Sequence, residues 1–147
     1  MPKVKSMALQ FHKKYPFSIA WRIPEHAKVI ETHINPDEEA IFAFPGQLTS
    51  NIFNIFTTCV VCLTNKRIII AQKKLFWGYH YTVITPDKFN DLSLRTKMIF
   101  GQVKIDTLKE EVNIYKLDKS SLAIIETKIS SYMMEEKQKY ASSETDK

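Results

Sequence analysis

The sequence predicts a mainly β domain with flanking helices. Seven short antiparallel strands leave a sheet that must curl or split to bury its dry face, a C-terminal helix can plug its open end, and a helical extension precedes it. Three observations predict this. From Glu38 onward the apolar residues repeat with a period of two: Leu92 and Leu94 alternate with Asp91, Ser93 and Arg95, and Val103 and Ile105 with Gln102, Lys104 and Asp106. Turn signals punctuate that stretch at Pro45-Gly46, Thr64-Asn65, Gly78, Thr85-Pro86-Asp87 and Lys109-Glu110. After Ser120 the spacing becomes helical, with Leu122, Ile125, Ile129, Tyr132 and Met133 on one face.

Residues 2–15 carry Val4, Met7, Ala8, Phe11 and Tyr15 at helical spacing, opened by Pro2 and ended by Pro16. So short a helix is marginal alone in water and must dock on something. Phe17–Trp21 reads as a short extended piece, and Pro24 to about Ile34 as a second helix stopped by Asn35-Pro36. Strands are expected at about 39–44, 52–63, 67–73, 79–84, 89–95, 98–106 and 111–116. The central pair is Cys59-Val60-Val61-Cys62-Leu63, the turn Thr64-Asn65-Lys66-Arg67, and Ile68-Ile69-Ile70-Ala71. Both strands are apolar at successive positions, which predicts a hairpin buried on more than one side. The closing helix runs from about Ser120 to Tyr140, capped by Asp118 or Ser120, and the polar tail 141–147 is read as disordered.

A chain of 147 residues suits one domain with a core of its own. Its three glycines leave little from which to build a phosphate-cradling loop. Residues 1–28 carry six Lys or Arg against Glu25, and residues 66–104 carry eight against Asp87 and Asp91. Residues 29–65 are acidic. Two basic segments can form one positive face that attracts anionic partners. No apolar leader core precedes a cleavage site, and no run reaches the roughly 20 apolar residues of a membrane span. A cytoplasmic location with reduced cysteines is therefore expected.

Cys59 and Cys62 have the spacing of a redox or zinc pair, but three positions along a strand they point to opposite faces. They are read as small buried hydrophobes. His12, His26, His33 and His80 are scattered, and no nucleophile elbow or metal helix is present in the sequence, so no enzyme activity, cofactor, metal or small-molecule substrate is expected. The run Lys73-Lys74-Leu75-Phe76-Trp77-Gly78-Tyr79-His80-Tyr81 mixes cations and rings around a turn. With Lys66 and Lys88, its Lys73, Lys74, Trp77, Tyr79 and Tyr81 are candidates for a basic and aromatic face. Such a mixture binds single-stranded nucleic acid in some proteins, although cross-strand ring packing is the commoner use.

The apolar strand, the Thr64-Asn65-Lys66-Arg67 turn, the second apolar strand, Gly78, Tyr81, Ile84, Pro86, Phe89 and Gly101 together resemble the bacterial pleckstrin-homology-like domains of the YokE-like kind. The resemblance covers about Asp37–Tyr140. It leaves 1–36 as an extension, 37–140 as the domain and 141–147 as the tail. It implies a seven-stranded, strongly bent antiparallel sandwich or barrel with a C-terminal helix, and no shared catalytic set. Eukaryotic namesakes often bind phosphoinositides through cations in the loop after the first strand. Here that loop, Gly46–Asn51, has none, which argues against headgroup recognition.

The expected function is therefore a non-catalytic binding or assembly module. Met7, Phe11, Tyr15, Phe17 and Trp21 lie outside the span of the resemblance, and with Ile19 they are expected to dock on a second copy or another protein. The alternative is a peripheral membrane module using the basic face on anionic lipid, and weak nucleic-acid binding ranks third. Thr64, Asn65 and Arg67 are expected to be structural, with Arg67 bonding turn carbonyls or a strand end.

Overall fold

A computed structural model of the chain describes residues 3–50 and 55–145. Two helices, α1 (Lys3–Lys14) and α2 (Ile23–His33), precede strands β1 (Ala40–Gln47), β2 (Thr58–Thr64), β3 (Ile68–Lys73), β4 (Tyr79–Ile84), β5 (Phe89–Thr96), β6 (Phe100–Thr107) and β7 (Glu111–Asp118). Helix α3 (Leu122–Thr145) closes the chain. The strands form one antiparallel sheet in the order β4-β3-β2-β1-β7-β6-β5. β1 and β7 share one register pair, Gln47 with Tyr115, so the sheet curls there into two halves. Gly46 lets β7 come close at that point, because a side chain there would run into Ile114. The predicted fold class is thus the one observed.

The hairpin of β2 and β3 is buried on both faces, as its unbroken apolar runs predict. Cys59, Val61, Leu63, Ile68 and Ile70 point into a core between the two halves of the sheet. Leu122, Ile125, Ile129 and Met133 of α3 plug that core. Val60, Cys62, Ile69 and Ala71 point the other way, into a second core. Strand alternation alone sends neighbours to opposite faces, so a doubly apolar hairpin demands two covers. The second cover is the N-terminal extension: Val4 and Ala8 of α1 and Ile23, Ala27 and Ile30 of α2 line that core.

This corrects the expectation that residues 1–23 are spare and await a second chain. Phe11 is only 6% exposed and reaches the first core, with ring centroids 5.7 Å from Phe42 and 5.6 Å from Phe44. Tyr15 packs beside it at 4.8 Å, and Met7 lies against the second core. The segment after α1 is irregular rather than extended, and it is tied to the end of β7. The Ile19 amide donates to the Lys116 carbonyl at 2.8 Å, the Phe17 amide to Asp118 Oδ2 at 3.2 Å, and the Asp118 amide to Ser18 Oγ at 2.8 Å. Of the arm residues singled out, Phe17 alone stands well out, at 71% exposure.

Several boundaries also move. β1 continues through Gly46 and Gln47, because pairing to β2 carries the strand past Pro45. The expected start of the second strand, residues 52–54, lies outside the described residues, and residues 55–57 form a 3-10 turn. Asp118 does cap the start of the last helical stretch, accepting from the Ser120 amide at 3.0 Å. The helix then runs to Thr145 rather than ending near Tyr140, taking up most of the expected tail, while residues 146–147 lie outside the described residues.

Candidate functional site

The β2–β3 turn is held by a polar network built on Glu38, just ahead of β1. Thr64 Oγ1 accepts from the Lys66 and Arg67 amides, both at 3.1 Å, and donates to Glu38 Oε2 at 2.5 Å. Arg67 donates to both Glu38 oxygens, at 2.9 and 3.0 Å, and to the His33 carbonyl at 3.2 Å. Asn65 Oδ1 accepts from the Glu39 amide at 2.9 Å. Burial alone would raise the Glu38 carboxyl, but the bonds from Arg67 and Thr64 outweigh it and hold the group below its usual range. Thr64, the Asn65 amide oxygen and Arg67 thus serve the fold. Arg67 bonds Glu38 and the end of α2 rather than the turn carbonyls.

His26 is a second buried polar group, on α2. Its Nδ1 accepts from the Lys73 amide at 2.7 Å, so Nε2 carries the proton and faces Thr58 Oγ1 at 3.2 Å. Burial, and then the charge of Arg22, lower its pKa from 6.5 to about 4. Cys59 and Cys62 lie in different cores, and burial pushes each thiol up to about 12. Among the described residues no group of three His, Cys, Asp or Glu side chains stands together as a metal site.

The residues singled out as a basic and aromatic face do not share one surface. Lys66 lies at the β2–β3 turn, paired with Asp37 at 2.5 Å. Lys73 is at the far end of β3, about 20 Å away at the rise of a strand. Tyr81 packs on His33 with centroids 4.5 Å apart, and Tyr79 donates to or accepts from His33 Nε2 at 3.0 Å. Lys88 sits at the β4–β5 corner. What remains together is the β3–β4 tip: Lys73, Lys74, Leu75, Phe76, Trp77 and Gly78. The Lys74 amide donates to the Gly78 carbonyl at 3.1 Å, and Gly78 supplies the positive φ of +83° that closes the turn. Phe76 and Trp77 are 82% and 81% exposed, and each has the other as its ring partner at 6.2 Å.

Further residues join this end that the sequence reading passed over. Arg22 donates to the carbonyl oxygens of Lys73 and Lys74, at 3.5 and 3.4 Å, and lies over the Trp21 ring at 5.5 Å. Trp21 meets the exposed Phe56 edge to face at 5.5 Å. One end of the domain therefore carries Arg22, Lys73 and Lys74 around Phe56, Leu75, Phe76 and Trp77. Behind it Lys28, Lys73, His33 and Tyr79 line a groove of about 340 Å³ that also holds Glu25. The readable signal was the Phe76-Trp77 pair at a turn: neighbours on a strand point to opposite faces, so both rings cannot pack on one sheet face.

Among the described residues no helix is long and apolar enough to cross a membrane. No curated relative matches the chain. Two solved structures are similar. A pleckstrin homology domain from Shewanella amazonensis SB2B is 16% identical with a TM-score of 0.51, the match covering 74% of this chain and 95% of that one. A DUF1696 family protein with a pleckstrin-homology domain from Shewanella loihica PV-4 is 15% identical with a TM-score of 0.49, covering 75% and 95%. At such identity the likeness to the first speaks to the fold alone. Residues 34–131 match the model of the bacterial PH domain, so both N-terminal helices lie outside the match. With that span of its sequence and the curled seven-stranded sheet closed by α3, the chain belongs to the bacterial PH domain family.

Proposed function

We propose that the chain is a non-catalytic binding module that docks on an anionic membrane surface through its β3–β4 end. Domains of this family generally serve binding rather than catalysis. The observation that carries the reading is the tip itself: two adjacent rings, more than four-fifths exposed, between Lys73-Lys74 and a glycine turn. Aromatic rings favour the headgroup level of a bilayer, where an apolar body and a wet surrounding coexist. Each nearby Lys or Arg adds about 1 kcal/mol of attraction to an anionic leaflet. The described part of the β1–β2 loop, Leu48-Thr49-Ser50, adds no cation, so binding follows surface charge rather than one headgroup. Assembly through residues 1–23 has lost its main support, because Phe11, Met7 and Tyr15 pack on the chain's own cores.

The test is co-sedimentation with phosphatidylcholine vesicles, with and without phosphatidylglycerol. Binding is expected only to the anionic vesicles, and to fade with salt as charges beyond about 8 Å are screened. Lys73→Glu with Lys74→Glu alters one half-buried and one exposed side chain, Phe76→Ala with Trp77→Ala two exposed ones, and each pair is expected to abolish it. Binding that survives both pairs, or no binding by the wild type, overturns the reading.

A further inference from the structure

The two edges of the sheet are unlike. β5, at one edge, is dressed with Asp91 and Arg95, packs against α3, and gives its Phe89 carbonyl to Lys137 of that helix. β4, at the other edge, has the sequence Tyr-His-Tyr-Thr-Val-Ile and no Lys, Arg, Asp, Glu or Pro. Charges and prolines are the usual means of blunting an edge, and β4 has neither.

The ladder shows which backbone groups that edge offers. The Lys74 amide bonds the Gly78 carbonyl, so the alternation of an antiparallel pair makes Gln72↔His80, Ile70↔Thr82 and Ile68↔Ile84 the bonded pairs. The β2–β3 turn gives the same phase, since the Thr64 amide bonds the Arg67 carbonyl and leaves Ile69 and Ala71 to bond β2. Tyr79, Tyr81 and Val83 therefore turn their N–H and C=O groups away from β3, and no backbone bond reaches them from elsewhere among the described residues.

A groove of about 230 Å³ runs beside this edge, lined by Thr82, Ile84, Lys88, Thr107, Lys109 and Glu110. Its far wall is fixed: the Leu108 amide donates to the Lys88 carbonyl at 2.9 Å, and Thr107 Oγ1 to the Glu110 carbonyl at 2.6 Å. Lys88 and Lys109 are exposed and make no ion pair among the described residues. The groove thus sets a row of free strand groups opposite two lysines and one carboxylate, Glu110, a net positive wall.

We infer that the β4 edge binds an extended acidic peptide, which adds as an eighth strand and turns carboxylates toward Lys88 and Lys109. Backbone bonding supplies the register-indifferent part of the affinity, and the lysines select the sign of the side chains. A second copy of this chain is a poorer occupant, because its β4 brings no carboxylate and the chain carries a net +5. The site is separate from the hairpin tip and does not depend on the membrane reading.

The test uses labelled peptides of about eight residues, the length of a long strand, alternating Val with Glu or Val with Lys. Fluorescence anisotropy on the full chain is expected to show the Glu peptide binding at least roughly tenfold tighter than the Lys peptide. Lys88→Glu with Lys109→Glu, both on the surface, is expected to reverse that preference. N-methylation of alternate residues, made in both phases, is expected to abolish binding in one phase only, since a strand offers one edge to β4. Failure of the wild type to bind the Glu peptide overturns the inference. So does equal loss in both phases, which marks charge attraction without strand addition. A solution mass that doubles, and falls when Val83→Pro removes an edge N–H, assigns the edge to a second copy and likewise overturns it.

Discussion

Replacing His26 with Asn tests how tightly α2 is built into the sheet. In the folded chain the imidazole is neutral: Nδ1 accepts the Lys73 amide, Nε2 faces Thr58, and the pKa lies at about 4. In the unfolded chain it returns to about 6.5. Between these two values the unfolded state binds a proton that the native state refuses, so stability rises with pH through that window. The contribution is complete above pH 6.5 and is lost as the pH falls toward 4. At about 1.4 kcal/mol per unit, the loss is about 3 kcal/mol. Asn keeps an oxygen that can accept from the Lys73 amide but cannot titrate. At pH 7.5 the variant is expected to be less stable by about 1 kcal/mol, for the contact with Thr58. Urea melts from pH 7.5 down to 4.5 measure both proteins. The wild type should lose its advantage and cross below the variant, because carboxylates such as Glu38 act on both curves alike. Parallel curves would show that His26 is open to water and that α2 is not seated on β3 as described.

Two further outcomes follow from the network at the β2–β3 turn and from the two cores. Arg67→Ala leaves the Glu38 carboxylate buried without its partner, at a cost of about 3 kcal/mol, the lower end for such a pair because Arg67 keeps 19% of its side chain exposed. Thermal melts check it, and a loss below about 0.5 kcal/mol would place Arg67 among surface pairs that contribute little. Cys59 and Cys62, with thiols pushed up to about 12, are expected to resist thiol reagents at pH 8 until urea unfolds the chain, whereas labelling at the rate of a free peptide thiol would contradict their burial.

The sheet was legible because its signals are local. Alternation, turn residues and the helical spacing of Leu122, Ile125, Ile129 and Met133 are all properties of short windows. The doubly apolar hairpin is legible as well, and it holds the answer to the N-terminal arm. A strand apolar on both faces needs a second layer, and α1 and α2 were the unassigned apolar helices. The arm was set apart because its packing partners lie from tens of residues to more than a hundred residues away: Phe11 meets Phe44, and Phe17 meets Asp118. The basic face failed for a related reason. Lys66 and Lys73 are near in sequence, but a strand between them holds them at opposite ends. Phe76 and Trp77 are visible in the sequence, but their rings belong to a turn and stand exposed rather than packing across strands. Arg22 and Phe56 carried no local signal, since only the fold brings α2 and the β1–β2 connection to the hairpin tip.

Helices α1 and α2 belong to this domain and close the outer face of β1–β3, leaving the hairpin end and the β4 edge uncovered. Native-state hydrogen exchange, run at two protein concentrations, tests it most directly. The amides of α1 and α2 are expected to be protected to the level of β2 and β3, equally at both concentrations, because the cover comes from the same chain. Exchange of α1 at the rate of a frayed helix, or protection that rises with concentration, would mean that the outer face is closed by a second molecule.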